Sequence, residues 1–178
     1  MLWLVLDEVV DPQNLGALLR SAFFLGGDNV KILLCSKNSA PPSPVVSAAS
    51  AGALELMTVY STSNLPRTLT SAKNDGFRIV GASSSVPGRS GVGSDETTEP
   101  PALYDLQELP TVNSSERPVL LVLGSEGHGL RSLVAKGCTE FVRIPAGETE
   151  NSELAAGVDS LNVSVTGGIL LWHLLRGT

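Results

Sequence analysis

Short apolar runs of strand length alternate with helix-patterned stretches along almost the whole chain, and that alternation restricts the fold more than any other feature. The run 2–6 reads as a buried strand closed by Asp7, Asp11 and Pro12, and 30–34, 77–82, 119–123 and 141–144 read as further strands. Of these, 119–123 is the most apolar. Residues 54–60 predict one more strand or extended piece. Between the runs, 14–26 carries Leu15, Leu18, Leu19, Ala22 and Phe23 at helical spacing, with Gly26 and Gly27 as its stop. Helices are also predicted over 44–52, 65–74 (ended by Asp75-Gly76), 129–137 and 161–175. Strands alternating with helices mean an α/β fold with a mostly parallel sheet flanked by helices. Such sheets bind ligands beyond the carboxyl ends of their strands, so the polar segments after Leu6, Leu123 and Ile144 are the places to look for chemistry.

With 178 residues the chain has the length of a single domain, 1–178. Residues 83–118 break the pattern, being rich in Ser, Gly, Thr, Pro and acidic residues. The part near 85–101 is expected to be a mobile loop, and 104–109 a short ordered turn. Two cysteines, Cys35 and Cys138, are too few for a disulfide scaffold and point to a reducing compartment. No metal site is expected, since the cysteines and the two histidines lack metal-ligand spacing. No membrane span is expected either: the apolar tail 169–175 is far short of the ~20 residues a spanning helix needs. Met1 to Leu6 is too short for a signal-peptide core. A net charge of −6 argues against a stand-alone nucleic-acid clamp.

Three segments carry candidate chemistry. The first, 123–130, reads Leu-Gly-Ser-Glu-Gly-His-Gly-Leu, and its three glycines allow sharp turns with N–H groups free to face a ligand. It has neither the Gly-Lys-Ser/Thr ending of a phosphate loop nor the glycine spacing of a nucleophile elbow. The second, 11–21, starts a helix at Pro12 and Asn14 and places Arg20 about one and two-thirds turns beyond Asn14. The third, 160–168, puts Ser160 at the cap of the last helix and Asn162 in its first turn. Gly167-Gly168 within that helix costs stability and suggests that another backbone approaches closely. Each segment also has a plain structural explanation: an acidic turn, an exposed Arg, a completed cap. His128 suits an exposed loop position better than a ligand contact, and His173 suits core or interface.

In order and spacing the three segments resemble the motifs of the SpoU family of RNA ribose 2′-O-methyltransferases, within the SPOUT superfamily. Asn14, Gly16 and Arg20 match the first motif. Gly124, Glu126, Gly127, Gly129 and Leu130 match the second, and Ile144, Pro145, Ser160, Leu161, Asn162 and Val163 the third. Residues 38–47 and 51–55 are similar to the fungal mitochondrial branch that acts on a guanosine ribose in the peptidyl-transferase loop of large-subunit rRNA. The resemblance implies a C-terminal trefoil knot, a homodimer, S-adenosylmethionine as cofactor, RNA as substrate and a mitochondrial location. A tRNA substrate and a non-catalytic RNA-binding or assembly module are the alternatives. It also implies a leader and an RNA-binding domain upstream of this segment, so that the domain alone should bind cofactor well and RNA weakly.

Carried onto this chain, the motifs make Arg20, Glu126, Asn14, Asn162 and Ser160 the candidate catalytic residues. Leu123, Gly124, Gly127, Ile144, Pro145, Gly157, Leu161, Ala82 and Ser83 are the candidate cofactor contacts. A guanidinium resists deprotonation, so Arg20 suits a clamp on phosphate or developing alkoxide better than a base. Glu126 is the rival base, or the partner that orients Arg20 or Asn14. The chain departs from the family pattern in three places: an insertion at 147–154, Thr166 where alanine is common, and the long acidic stretch after Ser85. The insertion is why Gly157 is preferred to Gly147 as the cofactor-facing glycine.

Overall fold

A computed structural model of the chain describes residues 1–86, 101–112, 117–147 and 160–176. Among these residues seven strands form one sheet: β1 (Leu2–Leu6), β2 (Val30–Cys35), β3 (Val59–Thr62), β4 (Arg78–Ala82), β5 (Ala102–Asp105), β6 (Val119–Leu123) and β7 (Glu140–Arg143). Their order is β3-β2-β1-β6-β4-β7-β5, and every pairing between them is parallel. The helices are α1 (Pro12–Gly26), α2 (Pro44–Ala49), α3 (Ala53–Leu56), α4 (Leu65–Asn74), α5 (Ser132–Ala135) and α6 (Val163–Leu175). The α/β architecture and the mostly parallel sheet predicted from the sequence are what the structure has.

The period-2 alternation of a strand sorts the apolar runs onto two faces. Leu2, Leu4 and Leu6 of β1, Ile32 and Leu34 of β2 and Leu121 and Leu123 of β6 pack beneath α1 and α6. Val5, Leu33, Leu120, Val122 and Phe141 point the other way, onto Leu65 and Leu69 of α4 and Val134 of α5. Both faces are covered, which is why β1 and β6 read as unbroken apolar runs. The chain builds outward from β1 through β2 to β3, then crosses to β4 on the other side. Strand β6 comes later in sequence and lies between β1 and β4; β7 likewise lies between β4 and β5.

Several predicted elements change in the structure. The helix expected over 44–52 stops at Ala49, because Ala51 and Gly52 turn left-handed at φ 51° and 88°. The extended piece expected from 54 begins instead as α3, where the Ser50 hydroxyl accepts from Leu54 N at 3.1 Å; only Val59–Thr62 pairs as a strand. The helix expected over 129–137 shrinks to Ser132–Ala135. The turn expected over 104–109 is preceded by β5, an edge strand that joins β7. Beyond it the chain straps across the sheet edge. Arg143 pairs with Asp105, His173 Nε2 lies 2.6 Å from Leu109 O, and Val112 N donates to Leu174 O at 2.8 Å. His173 is thereby a core residue, 2% exposed. The mobile loop expected near 85–101 and most of the 147–154 insertion lie outside the described residues.

Candidate active site

At the carboxyl edge of the sheet a cavity of about 540 Å³ opens where β4, β6 and β7 end and α6 begins. That size is within the range of small-molecule sites. Its floor is apolar: Leu123 and Val142 from strand ends, Ile144 after β7, and Leu161 and Leu170 around α6. Ala82 and Ser83 line it from the end of β4, where Ser83 N donates to Val142 O at 2.9 Å. One rim is the whole segment 124–130.

That segment is a tight loop. Ser125 and Gly129 exchange backbone hydrogen bonds of 3.1 and 3.0 Å, and Gly127 and Gly129 take left-handed φ values of 85° and 65°. A side chain at either glycine would be strained, so the glycine spacing fixes the loop's shape and leaves its backbone facing the cavity.

At the cavity rim, three polar side chains from distant parts of the chain meet. Glu126 of the loop accepts from Asn14 Nδ2 through Oε2 at 3.1 Å and from Asn162 Nδ2 through Oε1 at 2.7 Å. Asn162 Nδ2 also donates to Asn14 Oδ1 at 3.0 Å. Asn14 lies in the first turn of α1 and is buried. Asn162 is the N-cap of α6: its Oδ1 accepts from Ser164 N at 2.8 Å and from Ser164 Oγ at 2.6 Å. The cap is thus Asn162 and not Ser160, because Asn162 directly precedes the first helical residue and its side-chain oxygen takes the Ser164 N–H. Two helix N-termini converge on one carboxylate, the charge that their dipoles favour.

The predicted site residues divide into four groups. Leu123, Gly124, Gly127, Ile144, Leu161, Ala82 and Ser83 line the cavity, joined by Ser160 and Glu126. Asn14 and Asn162 meet at Glu126 beside it. Pro145 is exposed and does not line the cavity, and Gly157 lies outside the described residues. Arg20 projects from the exposed side of α1, its guanidinium making no hydrogen bond or ion pair among the described residues, and Glu126 is committed to the two asparagines instead.

Sequence reasoning missed Arg143, Thr166 and Leu170 on the wall. The i, i+4 spacing of Thr166 and Leu170, one turn into the last helix, was the available signal. His128 is exposed, as expected, yet it also sits on the cavity rim. Gly167 meets the side chains of Leu18 and Leu123, where a backbone approach was expected. Gly168 has only the Ser21 hydroxyl at 3.7 Å. Among the described residues no cluster of three or more His, Cys, Asp or Glu could hold a metal ion, and no helix is long and apolar enough to cross a membrane.

Comparison with known proteins places this geometry among relatives. The profile of the SpoU rRNA Methylase family matches residues 1–172. The chain is 42% identical over 174 residues to human "rRNA methyltransferase 1, mitochondrial", covering 96% of this chain and 44% of that protein. It is 33% identical over 175 residues to the Vibrio parahaemolyticus "23S rRNA (guanosine-2'-O-)-methyltransferase RlmB", covering 98% of this chain and 59% of the relative. The chain thus spans about half the length of these relatives. An AdoMet-bound rRNA methyltransferase from Sinorhizobium meliloti shares the fold with a TM-score of 0.71 at 23% identity, over 98% of this chain and 56% of that one.

Proposed function

Since the chain belongs to the SpoU rRNA methylase family, we propose that it transfers a methyl group from S-adenosylmethionine to a ribose 2′-hydroxyl of RNA. The observation that carries this reading is the joining of all three motif segments at one place: Glu126 ties Asn14 and Asn162 together on the rim of the cavity. The cavity suits the cofactor in kind. Apolar side chains, with Leu123 and Ile144 among them, offer a wall for adenine, and the left-handed glycine loop offers backbone groups to ribose and carboxylate. When bound, the cofactor supplies an electrophilic methyl group on its sulfonium centre.

The chain's own residues then have to hold the acceptor ribose in line and handle its proton, and positioning of this kind contributes heavily to rate. Asn14 and Asn162 are fixed by Glu126 and by each other, so their remaining polar valences are preorganised for a nucleotide. Each Glu126 oxygen already holds one amide, which supports an orienting role for it. Arg20, unpaired on its own helix, supplies the cation that holds the target phosphate or developing alkoxide.

A homodimer completes this reading. Arg20 lies one turn from Phe24, which is 86% exposed, and α1 packs on α6, whose outer side carries Val165 and Trp172 at 48% and 57% exposure. A second copy docked on that surface would cover the apolar residues and bring Arg20 into the interface. The substrate we infer is a guanosine of mitochondrial large-subunit rRNA. The name of the human relative supports the compartment and the name of the Vibrio relative supports the nucleotide.

Two measurements test the proposal. Calorimetry with S-adenosylmethionine and S-adenosylhomocysteine is expected to show binding of both, and binding of neither would move the chain to a non-catalytic RNA module. Mapping of ribose methylation after deletion of the gene is expected to show one missing guanosine mark in mitochondrial large-subunit rRNA. A missing tRNA mark would refute that substrate.

A further inference from the structure

Asp7 is completely buried at the end of β1, and it touches both ends of the cavity loop. Its backbone N–H donates to Leu123 O at 2.8 Å, the residue just before the loop. Its carboxylate takes Arg131, the residue just after the loop. Arg131 Nε donates to Oδ1 at 2.9 Å, Nη2 to Oδ1 at 2.5 Å, and the Arg131 backbone N–H to Oδ2 at 3.3 Å.

The rest of the guanidinium is engaged too. Nη1 lies 3.2 Å from Glu8 Oε1, and Nη2 lies 3.5 Å from Cys35 Sγ. Glu8 in turn accepts from Asn38 Nδ2 at 3.2 Å. Glu8 and Asn38 hold left-handed φ values of 60° and 55°, a cost that non-glycine residues bear only where the surroundings impose it. Hydrogen bonding to Asp7 raises the Arg131 pKa above its ordinary value. Neither Asp7 nor Arg131 lines the cavity.

We infer that Asp7 and Arg131 are positioning residues: a staple that fixes both ends of loop 124–130, and so sets the loop's fit to the cofactor and the reach of Glu126 toward Asn14 and Asn162. Two guanidinium N–H groups on one carboxylate oxygen and the backbone N–H on the other suit this, because together they fix direction as well as distance. A loop misplaced by about 1 Å is enough to cost a site much of its function. The inference rests on the proposed function, because it assigns the loop to cofactor binding.

The test uses the whole chain and four variants. Arg131→Met removes the fork but strands a buried carboxylate. Asp7→Asn/Arg131→Met removes the pair without that charge, which keeps the test open if the single variant fails to fold. Arg131→Lys keeps the charge and loses the fork. Arg78→Met removes a different ion pair, Arg78 Nε to Glu140 Oε1 at 2.5 Å, at the amino ends of β4 and β7, the end of the sheet opposite the loop.

The readouts are calorimetric affinity for S-adenosylhomocysteine and hydrogen exchange of the 123–131 segment. Both Met variants at position 131 are expected to bind about tenfold or more weakly and to exchange faster in that segment, with Arg131→Lys between them and the parent. Arg78→Met is expected to lose thermal stability with affinity and loop exchange unchanged. Parent-like affinity and exchange in the double variant would overturn the inference, as would an equal loss of affinity in Arg78→Met. A parent chain that binds neither cofactor form would instead overturn the functional reading, and this inference with it.

Discussion

Two neighbouring glycines in α6 should respond oppositely to the same substitution. An added Cβ at Gly167 would press on Leu18 Cδ2 and stand 2.8 Å from Leu123 Cδ1, whereas at Gly168 it would meet only the Ser21 hydroxyl at 3.7 Å. Leucine methyls usually swing away, but Leu18 and Leu123 are 0% and 1% exposed and packed on all sides. Overpacking of this kind costs about 1–3 kcal/mol, and two simultaneous contacts place Gly167→Ala near the upper end. Alanine returns about 1 kcal/mol of helix propensity, which leaves a net loss of about 2 kcal/mol. For a domain of this size that lowers Tm by about 4–8 °C.

Gly168→Ala keeps the propensity gain without the overpacking and should raise Tm by about 2–4 °C. Calorimetric melts of the two single variants check the signs. Because Leu123 also floors the cavity, Gly167→Ala alone should weaken S-adenosylhomocysteine binding. Shifts in the same direction for both variants would refute the packing argument, since propensity alone treats the two positions alike.

Arg20→Ala is expected to abolish methyl transfer and leave cofactor affinity intact; turnover retained in a single-turnover RNA assay would remove Arg20 from the chemistry. Phe24→Glu/Trp172→Glu should give a monomer at micromolar concentration where the parent sediments as a dimer, and a parent that sediments as a monomer would refute the interface. Burial pushes the Cys138 thiol from 9.0 up to about 12. The unfolded chain therefore releases its proton first, and stability present below pH 9 falls by about 1.4 kcal/mol per pH unit as pH rises toward 12. Urea melts across that window check the slope, and Cys138→Ala should flatten it.

What could be read from the residues, and what could not, follows from the range of each interaction. Strand β1 and helix α1 announce themselves because their apolar spacing reports burial directly. The loop 124–130 announces itself because left-handed turns need glycine at Gly127 and Gly129. The meeting of Asn14, Glu126 and Asn162 joins positions 148 and 112 residues apart, which no local pattern encodes; only the motif resemblance brought them together. Asp7 and Arg131 were passed over for the same reason, 124 residues separating the partners. Asp7 served as a strand-ending polar residue in the sequence, although the structure buries it. Strand β5 was missed because an edge strand needs no apolar run, and its burial pattern has no fully buried position. The cap moved from Ser160 to Asn162 because both residue types cap well, and the sequence alone does not say which one the backbone turns toward.

The placement of β6 between β1 and β4 has a consequence during synthesis. Both flanking strands leave the ribosome before β6 does, and in the finished sheet they stand about two strand spacings apart, roughly 9–10 Å. Until residues 119–123 arrive, each of them presents a bare parallel edge of Leu, Val and Ile, the kind of edge that recruits other chains. A nascent chain stopped before Val119 therefore offers two sticky rims around an empty slot. A premature stop there should yield aggregate in place of a smaller working domain.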